Sequence, residues 1–369
     1  MNAKNKNIGI FFIVVLIISI SLPLCTEQKR INIEVNPNIE LLSVVLSMTT
    51  WMNDREQEDY LYGEEIKLYF SKFKNHRAVT IAQELTDNYF IYDAPPALML
   101  HLGPPPDLKI MIPYGEYLET RAGGKEILNE FVSALRDFAK ETDFMSFYNE
   151  HKKFYESIIK KTERNLDDRE IVKNLEDFFG EKQKEYTVIL APYLFPGNYS
   201  VRIPMEEGSH CYAVLGIFKV MNKKPVFPSE DLLLYLCYHE FAHSFVNPIT
   251  DKHIKEVEKL EYLYTPVAER INNMRWPELF NETVVSAFAT LQCYHEYGKD
   301  VALGQLQYAK KVGAYFIDDV FCFLMEYENN RDIYPTYESY LSTLLDKLKN
   351  VRYSPEKANT VNINCGSHS

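Results

Sequence analysis

The chain lacks the cysteine spacing of a thiolate metal cluster. Its six cysteines stand at positions 25, 211, 237, 293, 322 and 365, with no CxxC pair. That scarcity excludes both a cysteine-ligated zinc cluster and a dense disulfide framework. It leaves room for one or two disulfides, with buried thiols as the plain alternative, and Cys237 is expected among the latter because it falls in mid-helix. Positive charge is also short: 40 Lys and Arg against 52 Asp and Glu give a net charge of −12. No basic stripe interleaved with aromatics appears, and nucleic-acid affinity rests on Lys and Arg neutralising phosphates, so a nucleic-acid partner is excluded. No apolar run after the first 24 residues is long enough to cross a bilayer. There is no internal repeat and no low-complexity tract.

What remains is a chain built to fold. Apolar residues make up 46% and charged residues 25% of 369, enough for a sizeable core in one large domain or two coupled halves. The first segment is separate from this. Lys4 and Lys6 precede an apolar run from Ile8 to Leu24, and the polar string Thr26-Glu27-Gln28-Lys29-Arg30 follows. This is a signal-peptide pattern over residues 1–25, so the protein is expected to be exported: secreted, periplasmic or held at a bacterial membrane surface. Cys25 at the end of the run suggests a lipoprotein signal, although Leu24 stands where a small residue is usual. Membrane contact is expected only through that lipid anchor.

Residues 31–180 are expected to be mainly helical after a short strand over 31–36, with helices over 39–52, 63–73, 77–90 and, in two or three pieces, 125–178. Pro95-Pro96 and Pro104-Pro105-Pro106 predict a surface loop. The texture changes at 181–349. Glu185 to Ala191, Tyr199 to Ile203 and Cys211 to Val220 read as strands, with a turn at Pro196-Gly197-Asn198. A helix then starts after Ser229, a good N-cap, and is expected to stop near Val246 because Asn247 precedes Pro248. Further helices are predicted over 276–297, 302–327 and 335–349, and residues 350–369 as a flexible tail. The fold class is α+β, a small mixed sheet with an active-site helix and a helical C-terminal lobe.

His239-Glu240-Phe241-Ala242-His243 matches H-E-x-x-H. Residues four apart share one helix face, so both imidazoles can reach one zinc ion, and the adjacent Glu240 can act as a general base on a water that zinc makes acidic. Two His and a Glu on an apolar helix are costly without partners, and a single Zn2+ supplies them. Two solvated surface histidines, or a closed structural zinc site, are the plainer alternatives. A catalytic zinc needs a third protein ligand and an open position. No third His follows at short spacing, since His253 lies beyond Pro248. Glu261 sits in a charged, solvated-looking run. Glu282 lies on an apolar helix with small neighbours Ser286 and Ala287, and is the expected third ligand. Tyr264, Tyr294 and His295 are candidate donors to a developing oxyanion. The strand Cys211 to Phe218 could align an extended peptide as a sheet edge, or be an ordinary strand. His76 and His101 are expected to be structural.

H-E-x-x-H followed far downstream by Asn281-Glu282 resembles the gluzincin peptidases. The longer string from His239 to Pro248 resembles more specifically DUF4932, a family of bacterial proteins common in Bacteroidota. Ile39 to Val45 and Tyr69 to His76 are similar to the same family, over roughly residues 31–345. The resemblance implies a zincin-like fold, zinc on His239, His243 and Glu282, Glu240 as base, and hydrolysis of a peptide or protein substrate. Ser286 departs from the pattern, where an Arg is expected, which leaves the ligands intact but puts any Arg-dependent substrate contact in doubt. Two other functions compete: an exported metal-containing binding protein without turnover, and a zinc amidase acting on cell-wall links.

Overall fold

The computed structural model describes residues 31–53, 60–167, 169–194, 197–271, 274–363 and 365. The signal-peptide and Cys25 readings, and part of the turn at Pro196, lie outside them. The architecture is mixed α+β, with helices predominating around a four-stranded sheet. Its strands are β1 (Asn32–Glu34), β2 (Glu185–Leu190), β3 (Tyr199–Pro204) and β4 (Ser209–Leu215), in the order β1-β2-β4-β3. β1, β2 and β4 run parallel, and β3 is antiparallel to β4. Val188 therefore sits between Ile33 and Ala213, and β1 ties the first part of the chain to the sheet that precedes the H-E-x-x-H helix. No helix among the described residues is long and apolar enough to cross a membrane.

Two expectations about the sheet change. β4 is interior rather than an edge: its Cys211, Ala213, Val214 and Leu215 are buried between β2 and β3. The edges are β1 and β3, and the helix Ala94–Leu100 packs against β3. The strand expected to run on to Val220 stops at Leu215, and Lys219–Met221 (β5) instead pairs with Lys224–Val226 (β6) in a separate hairpin. Pro95-Pro96, expected in a surface loop, occupy the buried first turn of Ala94–Leu100. Proline fits there because first-turn N–H groups have no partner within the helix.

The two longest helices form the centre. The first, Glu230–Lys252, packs on β4 and β3; the second, Trp276–Tyr297, packs along the first. Aromatic contacts lock the first helix to its surroundings, with Phe245 stacked on Phe179 at 4.7 Å and Phe241 edge-on to Tyr186 at 5.3 Å. Ser229 takes the extended backbone of a cap, but its side chain makes no cap bond. The helix also does not end at Val246. It runs through Pro248 to Lys252. Proline there removes the bond to the Ser244 carbonyl. Beyond it Ile249 and Thr250 are buried, and the Thr250 hydroxyl donates to Asn281 Oδ1 at 2.6 Å. Tertiary packing outweighs the local preference of the Asn-Pro pair.

The second helix has the bounds the sequence suggests. The stretch read as one helix over 302–327 is two, Lys299–Lys311 and Ile317–Glu328, and Tyr337–Leu348 follows. Within the segment read as a flexible tail, Pro355–Asn359 is helical and Cys365 is disulfide-bonded to Cys322. Cys211, Cys237 and Cys293 are buried free thiols.

Candidate metal centre

Tyr235, His239, His243 and Asn247 follow one another at four-residue spacing, so they form one stripe along the first helix. Glu282 and Ser286 do the same on the second. The helices run antiparallel: Asp231 meets Cys293 near one end and Thr250 meets Asn281 near the other. Residues Thr283 to Cys293 of the second helix are all buried, and several are small. Small side chains allow close approach, which brings Glu282 onto the two histidines.

The Glu282 carboxylate faces both rings. His239 Nε2 lies 3.3 Å from Oε2 and His243 Nε2 lies 3.4 Å from Oε1. The rings are nearly perpendicular, with centroids 5.0 Å apart. Ligand atoms of His239, Glu240 and His243 lie within 4.8 Å of one another. The donor set fits a small divalent ion. Tetrahedral ligands bonded at 2.0–2.1 Å are separated by about 3.3–3.4 Å, and the two Nε2–carboxylate distances match that edge. The Glu282 side chain keeps 41% of its exposure, so the group opens to solvent.

The far nitrogens of both rings are occupied. His243 Nδ1 meets Asn247 Oδ1 at 3.1 Å, and His239 Nδ1 meets Ser286 Oγ at 3.3 Å. An amide oxygen only accepts, so His243 presents an Nδ1–H to Asn247, and its Nε2 is the nitrogen turned towards Glu282. Such outer partners hold ligating histidines in place. Tyr235 stacks on His239 with centroids 5.7 Å apart.

Electrostatics follow from burial and crowding. Burial raises the Glu240 carboxyl above its ordinary range; the His239 and His243 charges oppose this, and Glu282 and Asp93 add to it. Asp93 immediately precedes the helix that packs on β3. Its Oδ2 accepts from the Tyr117 hydroxyl at 2.6 Å, and Arg121 donates to that hydroxyl at 2.9 Å. Burial pulls His243 down, but the Glu282 carboxylate, by charge and hydrogen bond, outweighs it and pushes the ring up to about 9. Burial pushes Glu282 up, but the His243 charge and bonds from both histidines hold it well below the carboxylate range. These carboxylate–imidazole attractions mark a site that favours positive charge between the groups.

Of the residues singled out from sequence, His239, Glu240, His243 and Glu282 come together. The others do not join them. Glu261 is exposed at the start of a 3₁₀ turn. His295 Nε2 pairs with Glu328 at 2.8 Å, and the Tyr294 ring packs on Phe321. Both lie more than three turns beyond Glu282, about 18–20 Å along the helix at 1.5 Å per residue. Tyr264 closes the 3₁₀ turn through its N–H to Glu261. His253 pairs with Glu338, His76 caps the helix Arg77–Asp87, and buried His101 bonds the Ala97 carbonyl. The sequence reading does not single out Tyr235 or Asn247 as site residues, and it marks Ser286 only as a small neighbour of Glu282 and a departure from the family pattern. The four-residue stripe on each helix was the signal that could have found all three. Asp93 had no such signal, because only the fold carries it across.

Fold and site together define a mixed α+β protein whose two longest helices bring together a His-Glu-His group able to hold a metal ion. The chain belongs to the DUF4932 family, a domain of unknown function, which matches residues 115–346 and so includes both helices. The match begins later than the resemblance suggested, and leaves Ile39 to Val45 and Tyr69 to His76 outside it. No curated protein and no solved structure matches the chain.

Proposed function

We propose that this protein is an exported, zinc-dependent peptidase of zincin-like build, acting on a peptide or protein substrate. One observation carries the reading: the Nε2 atoms of His239 and His243 converge on the Glu282 carboxylate at ligand spacing, with a Glu240 carboxylate oxygen within 4.8 Å of both histidines. His239, His243 and Glu282 would hold the ion, which when bound would supply a Lewis acid and acidify water at the site. Glu240 then has a defined task. Its raised proton affinity suits it to take a proton from the attacking water and return it to the leaving amine. A site that only bound metal would have no use for a buried, unliganded carboxyl at that position. The Cys322–Cys365 disulfide supports export, because such bonds persist in oxidising compartments.

The test is zinc content and peptide hydrolysis for the wild type and Glu240→Gln. The peptidase reading expects bound zinc in both and hydrolysis lost in the variant, by at least about 10²-fold for removal of a general base. Equal hydrolysis by both proteins, or zinc bound with no cleavage of a broad peptide library by the wild type, overturns it.

A further inference from the structure

We propose that the cleft between the helix Lys152–Leu166 and the segment leading from β6 into the helix Glu230–Lys252 is a binding site for a small carboxylic acid with an apolar tail. It does not depend on the activity proposed above. Ile158, Lys161, Thr162 and Asn165 follow one another at helical spacing, so they share one face of their helix and line the cleft together. Pro225, Phe227 and Pro228 line the rest of it. The two prolines have no N–H, so this part of the lining is largely hydrocarbon. The cleft holds about 260 Å3 of empty space, part of it open to solvent. That is the scale of a small molecule rather than of a large ligand. The metal centre is elsewhere: His239 lies about 14 Å along its helix from Glu230, at 1.5 Å per residue.

The polar groups of the cleft have donors to spare. Thr162 is only 2% exposed. A buried hydroxyl on a helix commonly donates to the carbonyl four residues back. Ser43 does so to Ile39 and Thr283 to Leu279, each at 2.7 Å. The Thr162 hydroxyl makes no hydrogen bond among the described residues and lies on the cleft instead. The side chains of Lys161 and Asn165 likewise have no hydrogen bond or ion pair there. A buried hydroxyl without a partner costs free energy, and an acceptor in the cleft removes that cost. An ammonium, a hydroxyl and an amide on one helix face are three donors, and the two oxygens of a carboxylate accept from all of them. Charge points the same way. In a chain of net charge −12, residues 152–166 carry five Lys and Arg against two Glu, and residues 219–226 carry three Lys and no acid. Ile158, Phe227 and the prolines then favour a hydrocarbon body behind the carboxylate, because burying it takes apolar surface out of water. A bare ion meets only the donors.

The test titrates sodium hexanoate into the full chain by isothermal calorimetry, beside hexan-1-ol, which keeps a tail without the charge, and acetate, which keeps the charge without a tail. The wild type should bind hexanoate saturably at one site, and each control at least about tenfold more weakly. Lys161→Gln and Thr162→Val should each weaken hexanoate by about tenfold or more, the usual worth of a hydrogen bond to a charged group. Thr162→Val keeps the side-chain shape and removes only an unpartnered hydroxyl, so without ligand it should melt at or above the wild-type temperature. That separates lost binding from lost fold, and a lower melting temperature would show that the hydroxyl has a partner and overturn the site. His239→Ala should bind hexanoate as the wild type does; loss of binding there would put the carboxylate on the metal centre instead. No saturable binding by the wild type, equal binding of hexan-1-ol or acetate, or wild-type affinity in Lys161→Gln or Thr162→Val also overturns the proposal.

Discussion

Glu282 and Glu40 are both carboxylates on helices, and their surroundings push them in opposite directions. Glu282 faces two imidazoles and ionises readily. Removing it takes away one of three candidate ligands, so Glu282→Ala should lower zinc affinity by more than the roughly 100-fold upper range for outer-shell partners; isothermal titration checks this, and unchanged affinity would mean that another group is the third ligand. Glu40 is buried. Burial raises its carboxyl from 4.5 to about 8, against a weaker opposing bond from the Tyr62 hydroxyl, which is itself 2.8 Å from the Tyr155 hydroxyl. Between those two pH values the folded chain holds a proton that the unfolded chain has released. Glu40 therefore contributes stability that is fully present below about pH 4.5 and lost as pH rises towards 8, with a limiting slope of about 1.4 kcal/mol per pH unit. Glu40→Gln should flatten the unfolding free energy across that window in urea titrations. A variant with the wild-type slope would refute this assignment.

At the scale of elements, the first helix depends on its neighbour. Its passage through Pro248 leaves the Ser244 carbonyl without its usual partner, and the buried Ile249 and the Thr250–Asn281 bond hold the last turn in place. Replacing Pro248 with Ala restores an N–H donor where the backbone is already helical. It should raise thermal stability, by up to about 3 kcal/mol, the usual penalty for proline in a helix interior. A melting temperature that stays the same or falls would show that the proline is relaxed in its setting. The same turn carries Asn247, which orients His243, so helix continuity and ligand geometry are linked.

At the scale of the whole molecule, the described residues of the last segment are held in place by two features. Cys365 is bonded to Cys322, and the Lys310 ammonium, fully buried, donates to Asp318 Oδ2 and to the carbonyls of Lys357 and Thr360, each at 2.7 Å. All three of its protons are used, so this buried charge is satisfied. Cys322→Ser with Cys365→Ser should cost about 2–4 kcal/mol in chemical denaturation. Lys310→Met should cost about 3–5 kcal/mol, because it leaves the buried Asp318 unpaired. Stabilities within experimental error of the wild type would show that the last segment adds nothing to the fold.

The metal motif, its helix and the bounds of Trp276–Tyr297 were legible in the sequence, because four-residue spacing and apolar periodicity are local properties. So were β2 and the approach of Glu282, rather than Glu261, to the two histidines, since an acid on an apolar helix needs a partner and one in a charged run does not. The helix end at Pro248, the interior place of β4, the buried Pro95-Pro96 turn and the held C-terminal segment were not legible. Each depends on which distant segment packs alongside. Ser286 shows the difference most clearly. From the sequence it was a small residue that let two helices approach. Only the antiparallel register of those helices decided that its hydroxyl meets His239, because a contact between residues 47 positions apart is set by packing and leaves no trace in local spacing.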